Sequence, residues 1–340
     1  MWHRRPIAVL ALVLCAGATA LPAASAAAPP LAAPAGATAA LRPGAASPAA
    51  LPAATAWTPI PSYAYAVHDE PVTYRNGCHA RVSVTVPHPC TFTHPNGAKT
   101  VLLFGDSHAA HWHAAVLQTA WKHGWRMLTM TKSGCPAPDV LVRRYKASAS
   151  YYQCPVWRRA ALAGLAAQRW GRIDLVVVSS WNFHQVISSH GTLVTGATRT
   201  HMWEMGWRRT LAQLLRKAKH VVILRDSPDL PGDATTAQAC YRRWGLAAQT
   251  RCGAPKSRAT STALWRAERA AAQAFPGRVT AVDLTSATCP NDWCGPIDKP
   301  YLRFKDDNHW NQTYMKAHFT APVDQALNTA MRVAFGVTPA

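Results

Sequence analysis

Four apolar residues, Val101-Leu102-Leu103-Phe104, run without a break into Gly105-Asp106-Ser107-His108, and a helical pattern follows from Ala109 to Ala120. A short apolar run closed by glycine predicts a strand buried on both faces. The serine is thereby delivered where that strand ends and the next helix begins. In open α/β sheets, ligands bind beyond the carboxyl ends of the strands. A helix N-terminus there offers free N–H groups to a developing anion. A serine hydroxyl is a weak nucleophile without a base. The far end of the chain supplies one candidate in Asp306-Asp307-Asn308-His309. The chemistry expected of this pairing is attack by Ser107 on an acyl carbonyl, with His309 taking the proton and Asp306 orienting the imidazole. Asp307 is the second candidate for that orienting role.

From residue 99 onward, strand and helix patterns alternate. Strands are expected at 101–105, 126–131, 173–179, 220–225 and 278–284, and helices at 108–123, 155–170, 203–219, 261–275 and 311–333. Short β-branched strands between helices predict a parallel sheet covered on both faces. The loops after the second, third and fourth strands are long and gather Gly, Pro, Ser, Asn and His at the carboxyl edge. The 240–257 segment is too long for a simple turn and holds a pair of cysteines, so a staple is expected there. Asp226 and Asp229, flanking Pro228, read as turn residues.

Residues 59–98 form an N-terminal extension. The alternation Arg81-Val82-Ser83-Val84-Thr85-Val86 predicts a strand in a hairpin closed by Cys78 and Cys90, and no catalytic group stands out in this stretch. Before it, residues 27–58 are almost entirely Ala, Pro, Gly, Thr and Ser, a spacer with nothing to bury. Residues 1–26 begin with Trp2-His3-Arg4-Arg5, continue through an apolar run and end at Ala24-Ser25-Ala26. They read as a secretory signal peptide, or as a membrane anchor if uncleaved. No later run is long enough to cross a bilayer.

The cysteines fit an exported chain. Of nine, Cys15 lies in the signal segment. The others fall as sequence neighbours: Cys78 and Cys90, Cys135 and Cys154, Cys240 and Cys252, Cys289 and Cys294. An even number in an exported chain predicts disulfides, with about a hundred connectivities open. The alternative, a zinc site, lacks any C-x-x-C spacing. Lys and Arg number 36 against 16 Asp and Glu, a formal charge of +20. Such a field favours anionic partners, but no nucleic-acid recognition motif accompanies it. His108, His111 and His113 place only one pair at helical spacing, so no metal and no cofactor is expected.

The motifs together resemble one family. Gly105-Asp106-Ser107-His108 and the Asp306/His309 pair resemble the first and last blocks of the SGNH hydrolase superfamily. The runs L-L-F-G-D-S-H-A-A-H-W, S-G-C-P, C-P-V-W, R-D-S-P and D-D-N-H-W look more closely like the SGNH domain attached to membrane acyltransferase-3 proteins, which O-acetylate surface polysaccharides. The likeness covers 99–340. It implies a flavodoxin-like three-layer sandwich with a mostly parallel five-stranded sheet. It implies Ser107 as nucleophile, His309 as base and then acid, and Asp306 as the residue that fixes the tautomer. Its oxyanion hole would combine the Ser107 N–H, Gly134 after the second strand and Asn182 after the third, although the family's G-x-N-D context is missing around Asn182. His108 and Trp181 are then candidates for shaping the pocket.

The function expected on this basis is an exported serine-dependent O-acyl (acetyl) transferase or esterase. Its substrate would be a cell-envelope or exported carbohydrate, or another acyl ester. No acyltransferase-3 membrane part accompanies the domain in this sequence, so transfer would call on a separate membrane acyltransferase as donor. The alternative is a basic polymer-binding protein with a relic SGNH site.

Overall fold

The structure is a computed structural model and describes residues 58–230 and 237–337. The expected signal segment with Cys15, and the spacer as far as residue 57, lie outside the described residues.

Seven strands make the central sheet: β1 (His79–Ala80), β2 (Cys90–Thr93), β3 (Thr100–Gly105), β4 (Arg126–Lys132), β5 (Leu175–Ser179), β6 (His220–Leu224) and β7 (Val279–Val282). The long strands run in the order β4-β3-β5-β6-β7, all parallel. Taken as first to fifth, they stand in the order 2-1-3-4-5, the doubly wound flavodoxin-like arrangement. The order reverses between β3 and β5, and the crevice at that reversal is where a ligand site belongs.

The helices that follow the sheet's strands or cover its faces are α1 (Ser107–Ala110), α2 (His113–Lys122), α3 (Gln153–Ala166), α4 (Gly196–Leu214), α5 (Thr262–Gln273) and α6 (Gln312–Ala334). Leu102, Phe104, Val176, Val178, Val221 and Ile223 point to one face and pack on α3, α4 and α5. Val101, Leu103, Leu175, Val177, Val222 and Leu224 point to the other and pack on α2 and α6. Both faces of β3, β5 and β6 are therefore covered, which is why these segments read as unbroken apolar runs. Among the described residues, no helix is long and apolar enough to cross a membrane.

Several expectations are corrected. The sheet has seven strands, not five, because the 59–98 extension contributes two. β1 pairs parallel with the carboxyl end of β4, and β2 pairs antiparallel with its beginning. They share one edge of β4 and do not form a hairpin, though the Cys78–Cys90 disulfide does join them. Residues 81–86 are loop, not strand. Their carbonyls turn inward to a buried cation: Lys132 Nζ donates to the carbonyls of Arg81, Val82 and Val84 at 2.7, 2.8 and 2.6 Å. The helix expected over 108–123 is broken at His111-Trp112 into α1 and α2. α4 starts at Gly196, before the apolar periodicity becomes visible at Trp203.

The eight described cysteines pair as sequence neighbours. Cys240–Cys252 staples two short helices, Ala237–Trp244 and Ala248–Arg251, within the long segment after β6.

Candidate active site

The end of β3 is built to turn sharply. Gly105 has φ +143°, and a Cβ there would stand 2.3 Å from the Ser179 carbonyl oxygen on β5. Only glycine permits that approach. Asp106 caps α1 and is fully buried. Its carboxylate accepts from the His108 N–H at 2.8 Å, the Trp181 N–H at 2.9 Å and His184 Nε2 at 2.8 Å. Burial by itself would push this carboxyl up, but His184, His108 and the Trp181 N–H outweigh it and hold it below the usual carboxylate range. Asp106 thus fastens the carboxyl end of β3 to that of β5 and leaves Ser107 as the first residue of α1.

Ser107 opens onto a cavity of about 590 Å³ whose lining includes His108, Gly134, Trp181, Asp306, Asp307 and His309. The turn before α6 brings the last three there. Lys305 N–H donates to the His309 carbonyl at 2.9 Å and closes the turn. Inside it, Asp306 Oδ2 lies 2.8 Å from His309 Nδ1, and Asp306 Oδ1 accepts from the His309 N–H at 2.7 Å. Burial opposes ionisation of Asp306, yet His309 and Lys305 hold its carboxyl well below the ordinary range. His309 Nε2 is buried and has no hydrogen-bond partner among the described residues. Its Nδ1 is already committed to Asp306, so Nε2 is the nitrogen left for a proton from another group. The Asp307 side chain faces the same cavity, but the histidine is held by Asp306.

Gly134 lines the cavity at φ +61°, in the turn after β4. Asn182 does not line it. It is buried, and its N–H donates to Asp226 Oδ2 at 2.7 Å. Asn182 is therefore tied to Asp226 through its backbone and forms no part of the cavity lining.

His108 is buried, and its Nδ1 lies 2.6 Å from Asp226 Oδ1. Burial disfavours its charge, but Asp226 prevails and raises the imidazole to about 9. Its ring lies 4.6 Å from that of His309, centre to centre. Ser227 Oγ, 3.1 Å from the same nitrogen, donates to the Asn308 carbonyl at 2.8 Å. The end of β6 is thus fastened both to α1 and to the His309 turn. Asp229 receives the Trp181 Nε1–H at 3.1 Å, and burial raises its carboxyl to about 6. The expectation of turn residues at Asp226 and Asp229 is corrected: both are anchors beneath the cavity. A sequence signal existed, in two acidic residues placed directly beyond a buried strand.

The extension contributes more than support. Tyr74, His79, Arg81 and Val82 line the cavity, so the stretch in which no catalytic group stood out forms part of its wall. Tyr74 and Ser107 line the same cavity. Burial, with Asp306, Asp106 and Glu70 adding negative charge, holds the Tyr74 hydroxyl well above the ordinary tyrosine range. Burial lowers the His79 imidazole to about 3. Its Nδ1 lies 2.9 Å from Thr131 Oγ1 and its Nε2 3.0 Å from Ser133 Oγ. No local motif marks Tyr74, because only the pairing of β1 with β4 brings this segment to the cavity.

Comparison with known proteins agrees with this arrangement at the level of family. The family described as SGNH domain (fused to AT3 domains) matches residues 77–318. No curated protein matches the chain in sequence. Among solved structures, one neighbour is the periplasmic domain of the lipopolysaccharide acetyltransferase of Salmonella ser. Paratyphi A. It is 10% identical with TM-score 0.49, and the match covers 68% of this chain and 85% of that one. Another is a carbohydrate esterase family 2 enzyme with a carbohydrate-binding domain from Corynascus thermopiles (Myceliophthora fergusii). It is 14% identical with TM-score 0.37, covering 70% of this chain and 67% of that one.

Proposed function

This chain belongs to the family of SGNH domains that occur fused to AT3 domains, and on that premise we propose that it is an exported serine enzyme that moves or removes O-acyl groups, acetyl above all, on carbohydrate. The observation that carries the reading is the Asp306–His309 pair, seated in one cavity with Ser107 and leaving a buried, unpartnered Nε2. The four disulfides support an extracytoplasmic location, as does the signal-like segment at residues 1–26.

In the proposed reaction, Ser107 Oγ attacks the acyl carbonyl while His309 Nε2 takes its proton. Asp306 holds the Nδ1–H and steadies the imidazolium. The Ser107 N–H, at the start of α1, and the Gly134 N–H receive the oxyanion. The bond to the departing alcohol breaks, and His309 returns the proton to that oxygen. The acyl group is then on Ser107. Water or a sugar hydroxyl attacks it, His309 takes the new proton, and the serine is regenerated. Tyr74, kept protonated, lines the cavity beside the serine. Water makes the protein an esterase; a sugar hydroxyl makes it a transferase, with a separate membrane acyltransferase as the acyl donor. A relic site that only binds polymer is the weaker reading, because serine, histidine and aspartate are all present.

The test is acetate release from a chromogenic acetyl ester by the wild-type protein and by Ser107→Ala, with and without a glycan acceptor. Loss of activity in the variant supports the reading. Acetylated acceptor appearing at the expense of free acetate identifies a transferase, and unaffected acetate release an esterase. Equal activity in both proteins overturns it.

A further inference from the structure

Past Trp181 the cavity continues into a second one of about 450 Å³, and the two share Arg144, Tyr145, Lys146, Trp181 and His184. The loop from Arg143 to Ser148 forms one wall of this second space. Its base is a two-stranded antiparallel pairing of Leu141–Val142 with Val186–Ile187. The Arg143 N–H donates to the Gln185 carbonyl at 2.9 Å, and the Arg144 N–H to the Ala149 carbonyl at 2.9 Å. The wall is therefore a braced finger.

Its charge is uncompensated. Arg143 is half-buried, and Arg144 and Lys146 are exposed at the cavity mouth. Among the described residues, Arg143, Arg144 and Lys146 form no ion pair. Arg143 Nε is buried with no hydrogen-bond partner, and no Asp or Glu lines the second cavity. Buried donors without partners are costly, and guanidinium groups match carboxylate and phosphate oxygens in pairs. Beside them stands an aromatic wall. Trp181 is fixed by its bond to Asp229, with Tyr145 5.6 Å away edge-on and Phe183 at 6.2 Å. Flat apolar faces next to unpaired cations suit a sugar ring that carries an anionic group.

We propose that the second cavity is a subsite for an anionic sugar residue, bearing carboxylate or phosphate, adjacent to the sugar whose hydroxyl exchanges its acyl group at Ser107. The subsite rests on the catalytic reading only for which sugar is modified. Its binding is tested without turnover.

The Ser107→Ala protein is titrated calorimetrically with three oligosaccharides of equal length: an oligogalacturonate, a phosphorylated mannan fragment and a neutral mannan fragment. The same titrations are run after adding Arg143→Gln, Arg144→Gln and Lys146→Gln together. If that combination does not fold by circular dichroism, Arg143→Gln alone takes its place. The expected result is that at least one anionic oligosaccharide binds about tenfold or more tightly than the neutral one, that added salt weakens it, and that the glutamine substitutions remove about tenfold in affinity. Whether the uronate or the phosphate binds identifies the anion. The proposal is overturned if the neutral oligosaccharide binds as well as both charged ones, if neither charged one binds, or if the glutamine substitutions leave affinity unchanged. Hydrolysis of a small ester at Ser107 is a separate measurement, so failure of the catalytic reading is distinguishable from failure of the subsite.

Discussion

His108 Nδ1 and Asp226 Oδ1 stand 2.6 Å apart, with the two side chains only 2% and 3% exposed. The pair fastens the first turn after β3 to the end of β6, and the His108 ring lies 4.6 Å from that of His309. Asp226→Asn leaves the histidine without its countercharge and is expected to destabilise the fold by about 3–5 kcal/mol. The pH dependence follows from the raised imidazole. The folded value of about 9 lies above the ordinary 6.5. The pair's contribution is therefore complete below about pH 6.5 and is lost as pH rises through about 9. Urea unfolding of wild type and variant should show the largest difference near about pH 6 and a smaller one near about pH 10. A difference that stays constant across that range would contradict the pairing.

Asp306→Asn tests the orientation of His309. The amide keeps the shape of the turn but does not hold the Nδ1–H as a carboxylate does. A drop of about 10⁴ in kcat is expected, with the unfolding midpoint little changed. Because His309 and Lys305 hold the Asp306 carboxyl low, wild-type activity should show no ionisation attributable to it above about pH 4. Steady-state kinetics on a chromogenic ester read both. A variant within threefold of wild type, on the order of 1 kcal/mol or less, would remove Asp306 from the mechanism.

Lys132→Met tests the buried cation that shapes the cavity wall. The ammonium makes three hydrogen bonds to the 81–84 carbonyls, and burial lowers it to about 8. Its loss is expected to cost about 2–3 kcal/mol. Amide exchange across 81–86 should speed up, and KM should rise because Arg81 and Val82 line the cavity. Unchanged exchange in that segment would show that the disulfide and β1 hold it without the lysine.

Much of this was legible in the chain itself, for physical reasons. β3, β5 and β6 are covered on both faces, so nothing but apolar residues fits, and 101–104, 175–178 and 221–224 announce themselves. The Ser107 and Asp306/His309 blocks are legible because each stands in a short motif at a strand end or before a helix, and the fold brings all three side chains to one cavity. The alternation at 81–86 misled because period-two spacing does not reveal a lysine at position 132 that draws those carbonyls inward. Tyr74 and the His108–Asp226 pair were illegible for a related reason. Each acquires its place through a contact between segments far apart in sequence, 118 residues for the pair. Asn182 reads as an oxyanion donor from its position after β5; its backbone N–H is bound to Asp226, and the residue is absent from the cavity lining.

The central claim is that Ser107 is the nucleophile, activated by His309. The most direct measurement is the intact mass of the protein after exposure to a serine-directed fluorophosphonate, followed by peptide mapping. Wild type is expected to gain one adduct, located on Ser107. Ser107→Ala should gain none, and His309→Ala should label at a rate lower by orders of magnitude, about 10³ or more. An adduct on another residue, or labelling of Ser107→Ala at the wild-type rate, would contradict the account.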